Sequence, residues 1–287
     1  MKKKNVSVIV QHGVGNQIYI LMTMVRLLIE DFNVSYYHKQ TKNHEYEHKH
    51  MLKHLFPILM TRFTKLRYSD SFNNKKIIRD VNLPIDLDKI NNKIIDNFLL
   101  NYKYWAGTND EYFNDVLKIM RFSYNKELKE HIKHKFDINN DLNYVCVHVR
   151  HGDYTLEKYK NKFIILPPEY YINLLKDEER PIVFITDTGH DFIKTKIIPY
   201  LNSKNIAISS NSFQIDFTLG IMARRLVSSP STMSYTMAYL NINEANIELD
   251  VYYKYWKNPN PKYKLEDFLK ISYFKHINII KTEYEYE

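Results

Sequence analysis

A short β-branched run, a polar turn carrying glycine and a helical stretch follow one another near the N-terminus, and the same succession returns in the second half of the chain. NVSVIV at 5–10 leads through QHGVGN into QIYILMTMVRLLIEDF at 17–32, where the apolar residues fall at helical spacing. YVCVHV at 144–149 leads through RHGDY and, after Pro167 and Pro168, into the helical EYYINLLKD at 169–177. PIVFIT at 181–186, NIAISS at 205–210, RLVSS at 225–229 and NIELDVY at 246–252 read as further strands, with helical segments between most of them. A strand that returns through a helix must lie parallel to its predecessor, so the expected fold is α/β with parallel sheets. A second Rossmann-like half begins with YVCVHV, and the pattern puts a boundary near Asn140, giving domains 1–140 and 141–287.

The stretch from about 38 to 140 is less regular. NHEYEHKHMLKHLF at 43–56 is rich in His and Lys, while NDEYFNDVLKIMRF and KELKEHIKHKF read as amphipathic helices. Its sheet cannot be drawn from pattern alone. With 287 residues the chain is long enough to bury about three quarters of its unfolded surface, so it needs no staples. Its one cysteine, Cys146, sits inside the apolar YVCVHV and reads as a small buried hydrophobe. The basic start MKKKNVSVIV lacks the apolar core of a signal peptide, and no run reaches the roughly 18 apolar residues of a membrane span. A cytoplasmic protein, at most peripheral to a membrane, is expected.

The formal charge of +8 is spread mostly over Lys, and no aromatic-basic RNA motif accompanies it. Nucleic acid is therefore not an expected partner. The same charge would favour anionic lipid surfaces through a salt-screened attraction.

Only six glycines occur, and four of them, Gly13, Gly15, Gly152 and Gly189, stand in turns that follow expected strands. In so Gly-poor a chain these positions are expected to need positive φ or close ligand approach. They fall at the carboxyl ends of parallel strands, where open α/β sheets place their ligands. The first turn offers His12, Asn16 and Gln17; the second His148, Arg150, His151, Asp153 and Tyr154; the third Thr186, Asp187 and Thr188. In SSPSTMSYTMAYL, Ser229 is placed to cap a helix with Pro230 at its first position, and Ser231 and Thr232 add hydroxyls at the positive helix end, a seat for phosphate.

GVGNQ at 13–17, HVRHGDY at 148–154, ITDT at 185–188 and DFTLGIMARRLVSSPSTMSYTMAYL at 216–240 resemble, in order, the motifs of the α-1,2-fucosyltransferases, glycosyltransferase family 11. The resemblance implies two Rossmann-like domains facing across a cleft, the GT-B architecture, with an acceptor-side N-terminal domain and a C-terminal GDP-sugar domain. It implies inverting transfer of fucose from GDP-fucose to a glycan hydroxyl, with no cofactor and no metal. Position by position, it places Arg150 on the donor pyrophosphate, His148 beside the guanine or ribose and Asp216 on the guanine edge. Ser231 and Thr232 would bind phosphate, His151, Asp187, Gly13 and Gly15 would complete the donor contacts, and Asn16 would face the reacting sugar. Breaking a sugar–phosphate bond leaves negative charge on the nucleotide, and an Arg fork with helix-end amides can hold it.

Asp153 and Asp187 are both candidate bases, and the residues do not choose between them; Asp153 joins Arg150 and Asn16 in the catalytic set. The chain departs from the family where His151 replaces a second Arg, where Thr188 replaces a second acid, and at Tyr235 and Thr236 in place of an aromatic pair. A histidine cannot fork and is charged only part of the time near neutral pH. An alternative is therefore a related GDP-sugar enzyme, or a binder weakened in catalysis. HEYEH at 44–48 matches HExxH, with His44 and His48 as zinc ligands and Glu45 as base. The motif lies in a polar, His-clustered stretch, so a solvated segment is the better expectation.

Overall fold

The computed structural model describes residues 4–11, 13–39, 51–65, 77–78, 87–96, 106, 111–136, 142–157, 163–209, 212–242, 248–252 and 276–280. The chain divides into two compact units, Met1–Asn125 and Lys126–Glu287.

In the first unit, β1 (Lys4–Val10), β2 (Phe32–His38), β3 (Thr64–Lys65), β4 (Ile77–Ile78) and β5 (Lys93–Ile95) form a parallel sheet in the order β3-β2-β1-β5-β4. Central β1 buries every residue from Val6 to Val10. Helix α1 (Val14–Ile29) is buried almost all round, from Val14 to Leu27 except Asn16, as its continuous apolar sequence requires of a core helix. It begins at Val14 rather than at the expected Gln17, because Gly13, extended at φ −63 and ψ 158, already serves as N-cap. Gly15 and Asn16 thus belong to the first helical turn. Asp31, at φ 62, reverses the chain from α1 into β2. Helix α2 (Phe113–Phe122) contacts α1 and buries Phe113, Val116, Leu117 and Met120, one face at helical spacing.

The second unit opens with α3 (Lys126–Lys135), followed by β6 (Val145–Val149), α4 (Pro168–Leu175), β7 (Ile182–Thr186), β8 (Ile206–Ser209), α5 (Phe213–Met222), β9 (Arg225–Val227), α6 (Thr232–Leu240), β10 (Glu248–Tyr252) and β11 (His276–Ile280). The pattern-based boundary near Asn140 falls after α3, which packs against α5 and so goes with the second unit. Six parallel strands run β11-β10-β9-β6-β7-β8. Counted within the unit this is the doubly wound order 3-2-1-4-5-6 of dinucleotide-binding sheets. Strands β6 and β7 are buried at every residue, as strands covered on both faces must be. Tyr170, Tyr171 and Leu175 of α4 pack with Val145, Val147, Phe184 and Val227 in one core. Cys146 is a free, buried thiol whose pKa burial pushes well up, which matches its reading as a small hydrophobe.

A charged network ties the amino ends of this sheet together. Arg225 Nε donates to Asp250 Oδ2 at 2.7 Å and its Nη1 to Glu178 Oε2 at 2.8 Å, while Arg180 bridges Glu178 at 2.8 Å and Glu248 at 2.9 Å. Burial alone would raise the Glu178 carboxyl, but the Arg180 and Arg225 guanidiniums outweigh it and hold the group down at about 2, from an ordinary 4.5. A carboxyl depressed in the folded state contributes stability that is full above its unfolded value and disappears as the pH falls through its folded one. Urea midpoints measured across acid pH are therefore expected to fall between about 4.5 and 2. In Glu178→Gln that portion of the slope should be missing.

Candidate functional site

The carboxyl ends of the second sheet collect the residues singled out in HVRHGDY, ITDT and SSPST. The connection from β6 leads outward to β7 and β8, and the chain then crosses back to place β9 on the other side of β6. Loops leaving β6 and β9 diverge at this switch point, where open α/β sheets bind ligands. His148 and Arg150 stand at the end of β6, Thr186 and Asp187 at the end of β7, and the SSPST segment follows β9.

Ser229 holds the two loops together. Its Oγ donates to the His148 carbonyl at 2.5 Å and accepts from the Arg150 backbone N–H at 3.0 Å, with the Tyr171 hydroxyl also 3.0 Å away. Ser229 is therefore not the helix cap. That role belongs to Ser231, whose side chain accepts from Met233 N at 3.2 Å at the start of α6. The cap lies nearer the helix than the Pro230 signal implied, because Ser229 is drawn into the sheet. Thr232 is the first helical residue, and its carbonyl accepts from Thr236 Oγ1 at 3.0 Å.

The Arg150 side chain is a quarter exposed and has neighbours on two sides. Its Nη1 lies 3.5 Å from Asp187 Oδ2, and its guanidinium sits 5.1 Å from the centre of the Tyr154 ring, which stacks on Phe163 and donates from its hydroxyl to the Pro230 carbonyl at 3.0 Å. Asp187 also accepts from the backbone of Gly152 at 3.0 Å and Thr188 at 2.9 Å. Both carboxylate oxygens are thus engaged, which makes Asp187 an anchor for the HGD loop and for Arg150. His151 is half-buried and stacks on Phe192, ring centres 5.1 Å apart. Of Asp153, the backbone lies in a 3-10 turn, and its side chain is outside the described residues.

His148 is buried, with Nδ1 2.6 Å from Ser234 Oγ. Burial and then the nearby positive Arg150 push its imidazole down to about 3, so it is neutral near pH 7. Asp216 is buried in the first turn of α5, where its Oδ1 accepts from Ser209 Oγ at 2.5 Å at the end of β8.

Positive φ, one of the two reasons expected for the turn glycines, does not occur at Gly13, with φ −63, or at Gly189, with φ −85. What two of the turn glycines supply is room for the protein itself: a Cβ on Gly152 would overlap the Asp187 carboxylate, and one on Gly189 would come within 2.7 Å of Thr186 Oγ1. Gly13, Gly15 and Asn16 lie in the first unit, at the amino end of α1. His12 and the HEYEH segment lie outside the described residues. Among the described residues, no group of three or more His, Cys, Asp or Glu is gathered to hold a metal, and no helix is long and apolar enough to cross a membrane.

Sequence reasoning missed two members of this arrangement, and one polar residue of the first unit. Ser234 and Tyr171 read as ordinary helix residues, because only packing brings them to His148 and Ser229. Asp96, which follows β5 and pairs with Gln11 in the first unit, sits after a strand too short to leave a periodic signal.

Two parallel α/β units, the second with the dinucleotide-binding strand order, define the fold of the GT-B glycosyltransferases. Solved structures share it. The chain is similar to a glycosyl transferase family 9 protein from Veillonella parvula, with a TM-score of 0.54 and 10% identity over 100% of this chain and 89% of that one. It is likewise similar to ADP-heptose LPS heptosyltransferase II of E. coli, with a TM-score of 0.51 and 11% identity over 96% of this chain and 90% of that one. No curated protein sequence matches the chain. The sequence profile described as glycosyl transferase family 11 matches residues 97–250, from the end of β5 to β10. The chain belongs to glycosyl transferase family 11 and is a glycosyltransferase.

Proposed function

We propose that the protein transfers fucose from GDP-fucose, with inversion and without a metal, to a hydroxyl of a surface glycan, O-2 of galactose or a related sugar. The observation that carries this reading is the Arg150 guanidinium, held at the β6/β9 switch point by Asp187 and Tyr154 in a chain of family 11. Arg150 takes the pyrophosphate, and Ser231 and Thr232 bring phosphate to the amino end of α6, where the helix dipole favours an anion. Neutral His148 faces the ribose or guanine side, Asp216 the guanine edge, and His151 the rim of the donor. Gly13, Gly15 and Asn16 stand at the amino end of α1 in the first unit.

As the bond between the fucose C1 and the phosphate oxygen breaks, its electron pair stays on GDP, and the acceptor oxygen bonds to C1. The released proton goes to Asp153 or to solvent. Arg150 acts by holding the charge that develops on the leaving diphosphate. The enzyme works in the cytoplasm, where lipid-linked glycans at the membrane face are one source of acceptor.

A thermal-shift panel of GDP, UDP, ADP and GDP-fucose, each with and without EDTA, tests the donor assignment. A ligand at 100 times its dissociation constant stabilises by about 2.7 kcal/mol. GDP and GDP-fucose are expected to raise the midpoint, UDP and ADP are not, and EDTA is expected to change nothing. A shift with UDP or ADP alone would overturn the GDP reading. Binding of GDP-fucose without enzyme-dependent release of GDP would instead identify a binder weakened at His151.

A further inference from the structure

The sheet of the first unit has a switch point of its own. From β1 the chain passes through α1 to β2 on one side, while β5 pairs with β1 on the other. Three polar residues stand at the carboxyl ends of these strands: Gln11 after β1, Lys39 after β2 and Asp96 after β5. Gln11 is buried and its Nε2 donates to Asp96 Oδ1 at 3.0 Å, while Lys39 Nζ lies 3.6 Å from Asp96 Oδ2. Backbone bonds fix the outer two, Lys39 N donating to the Val10 carbonyl and Asp96 N to the Ile78 carbonyl, each at 2.9 Å. The Asp96 side chain keeps 13% of its surface exposed and Lys39 keeps 47%, so a ligand can reach both.

An ion pair this exposed contributes little to stability. Its place is what stands out, because switch points are where such sheets bind ligands. The charges indicate the class of ligand. A carboxylate beside an ammonium gives a locally neutral pair with no net attraction for a diphosphate, and it offers an acceptor and a donor side by side. That matches a neutral sugar, in which one hydroxyl donates to Asp96 and its neighbour accepts from Lys39.

We infer that Gln11, Lys39 and Asp96 form the subsite that binds the acceptor sugar, with Asp96 accepting a hydrogen bond from an acceptor hydroxyl and Gln11 orienting the carboxylate. The inference rests on the glycosyl-transfer reading and supplies the acceptor half of it. Saturation-transfer NMR with methyl β-D-galactopyranoside, methyl β-D-glucopyranoside and methyl α-D-mannopyranoside tests it on the full chain. Wild type is expected to bind at least one of these glycosides saturably, and Asp96→Asn to weaken that binding about ten-fold, the loss of one charge-assisted hydrogen bond. Lys39→Met should weaken it less. Both variants should keep the wild-type midpoint shift with GDP, which reports on the other unit and shows that the chain is folded. Unchanged glycoside binding in Asp96→Asn, or no binding of any of the three by wild type, would overturn the subsite. A wild type that fails to respond to GDP strikes the donor reading instead, so the two failures are distinguishable.

Discussion

Arg150→Ala is expected to lower GDP release from GDP-fucose by about 10²-fold or more, the loss seen when a single donor to a developing negative charge is removed. The guanidinium is a quarter exposed, so its removal opens no cavity in the core, and the thermal midpoint without ligand should stay close to wild type. The midpoint rise with GDP should shrink. Arg150→Lys keeps the charge but loses the planar fork, so its turnover should fall between the two. Full activity in Arg150→Ala would remove Arg150 from the site. Asp187 bears on the same site: it holds Arg150, Gly152 and Thr188 at once, so its carboxylate positions the loop.

The largest effect on stability is expected from Arg225→Met. Arg225 is the partner of Asp250 and one of two Arg partners of Glu178, and both carboxylates are nearly buried, with 5% and 7% of their side-chain surface exposed. Its Nη2 also donates to the Leu174 carbonyl at 3.2 Å. Removing one member of a buried charged network leaves uncompensated charge behind, at about 3–5 kcal/mol. Urea unfolding at neutral pH should show that loss. The deficit should narrow as the pH falls, because protonating the stranded carboxyls relieves them. The network lies at the amino ends of the strands and Arg150 at the carboxyl ends, so the folded fraction of Arg225→Met should still respond to GDP.

How far the site was legible in the sequence depended on how local each signal is. HVRHGDY and ITDT each follow a strand that periodicity reveals, so Arg150 and Asp187 could be placed at strand ends from the sequence. That the two side chains meet depends on β6 and β7 being neighbours in register, with His148 opposite Ile185 and Val149 opposite Thr186. Ser229 shows the opposite case. Its neighbours in sequence favour a cap, and the fold uses its hydroxyl to join two strands far apart in the chain. The turn glycines carried a signal for special backbone, but Gly152 leaves room for the Asp187 side chain of another loop and Gly189 for Thr186 of its own turn.

By itself the sequence determined the α/β class, the strands from β6 to β10, the helices between them and the residues that stand at the strand ends. All of these follow from periods and turn chemistry that act over a few neighbours. Only the tertiary structure decided the strand orders, the hub at Ser229, the anchoring of Arg150 by Asp187 and the Gln11–Asp96–Lys39 cluster. Two-residue strands such as β3 and β4 are too short to carry a period, and they exist because longer strands offer them a paired edge. Contacts across a parallel sheet join residues separated by a whole helix, and no local pattern records which strands the crossovers will bring side by side.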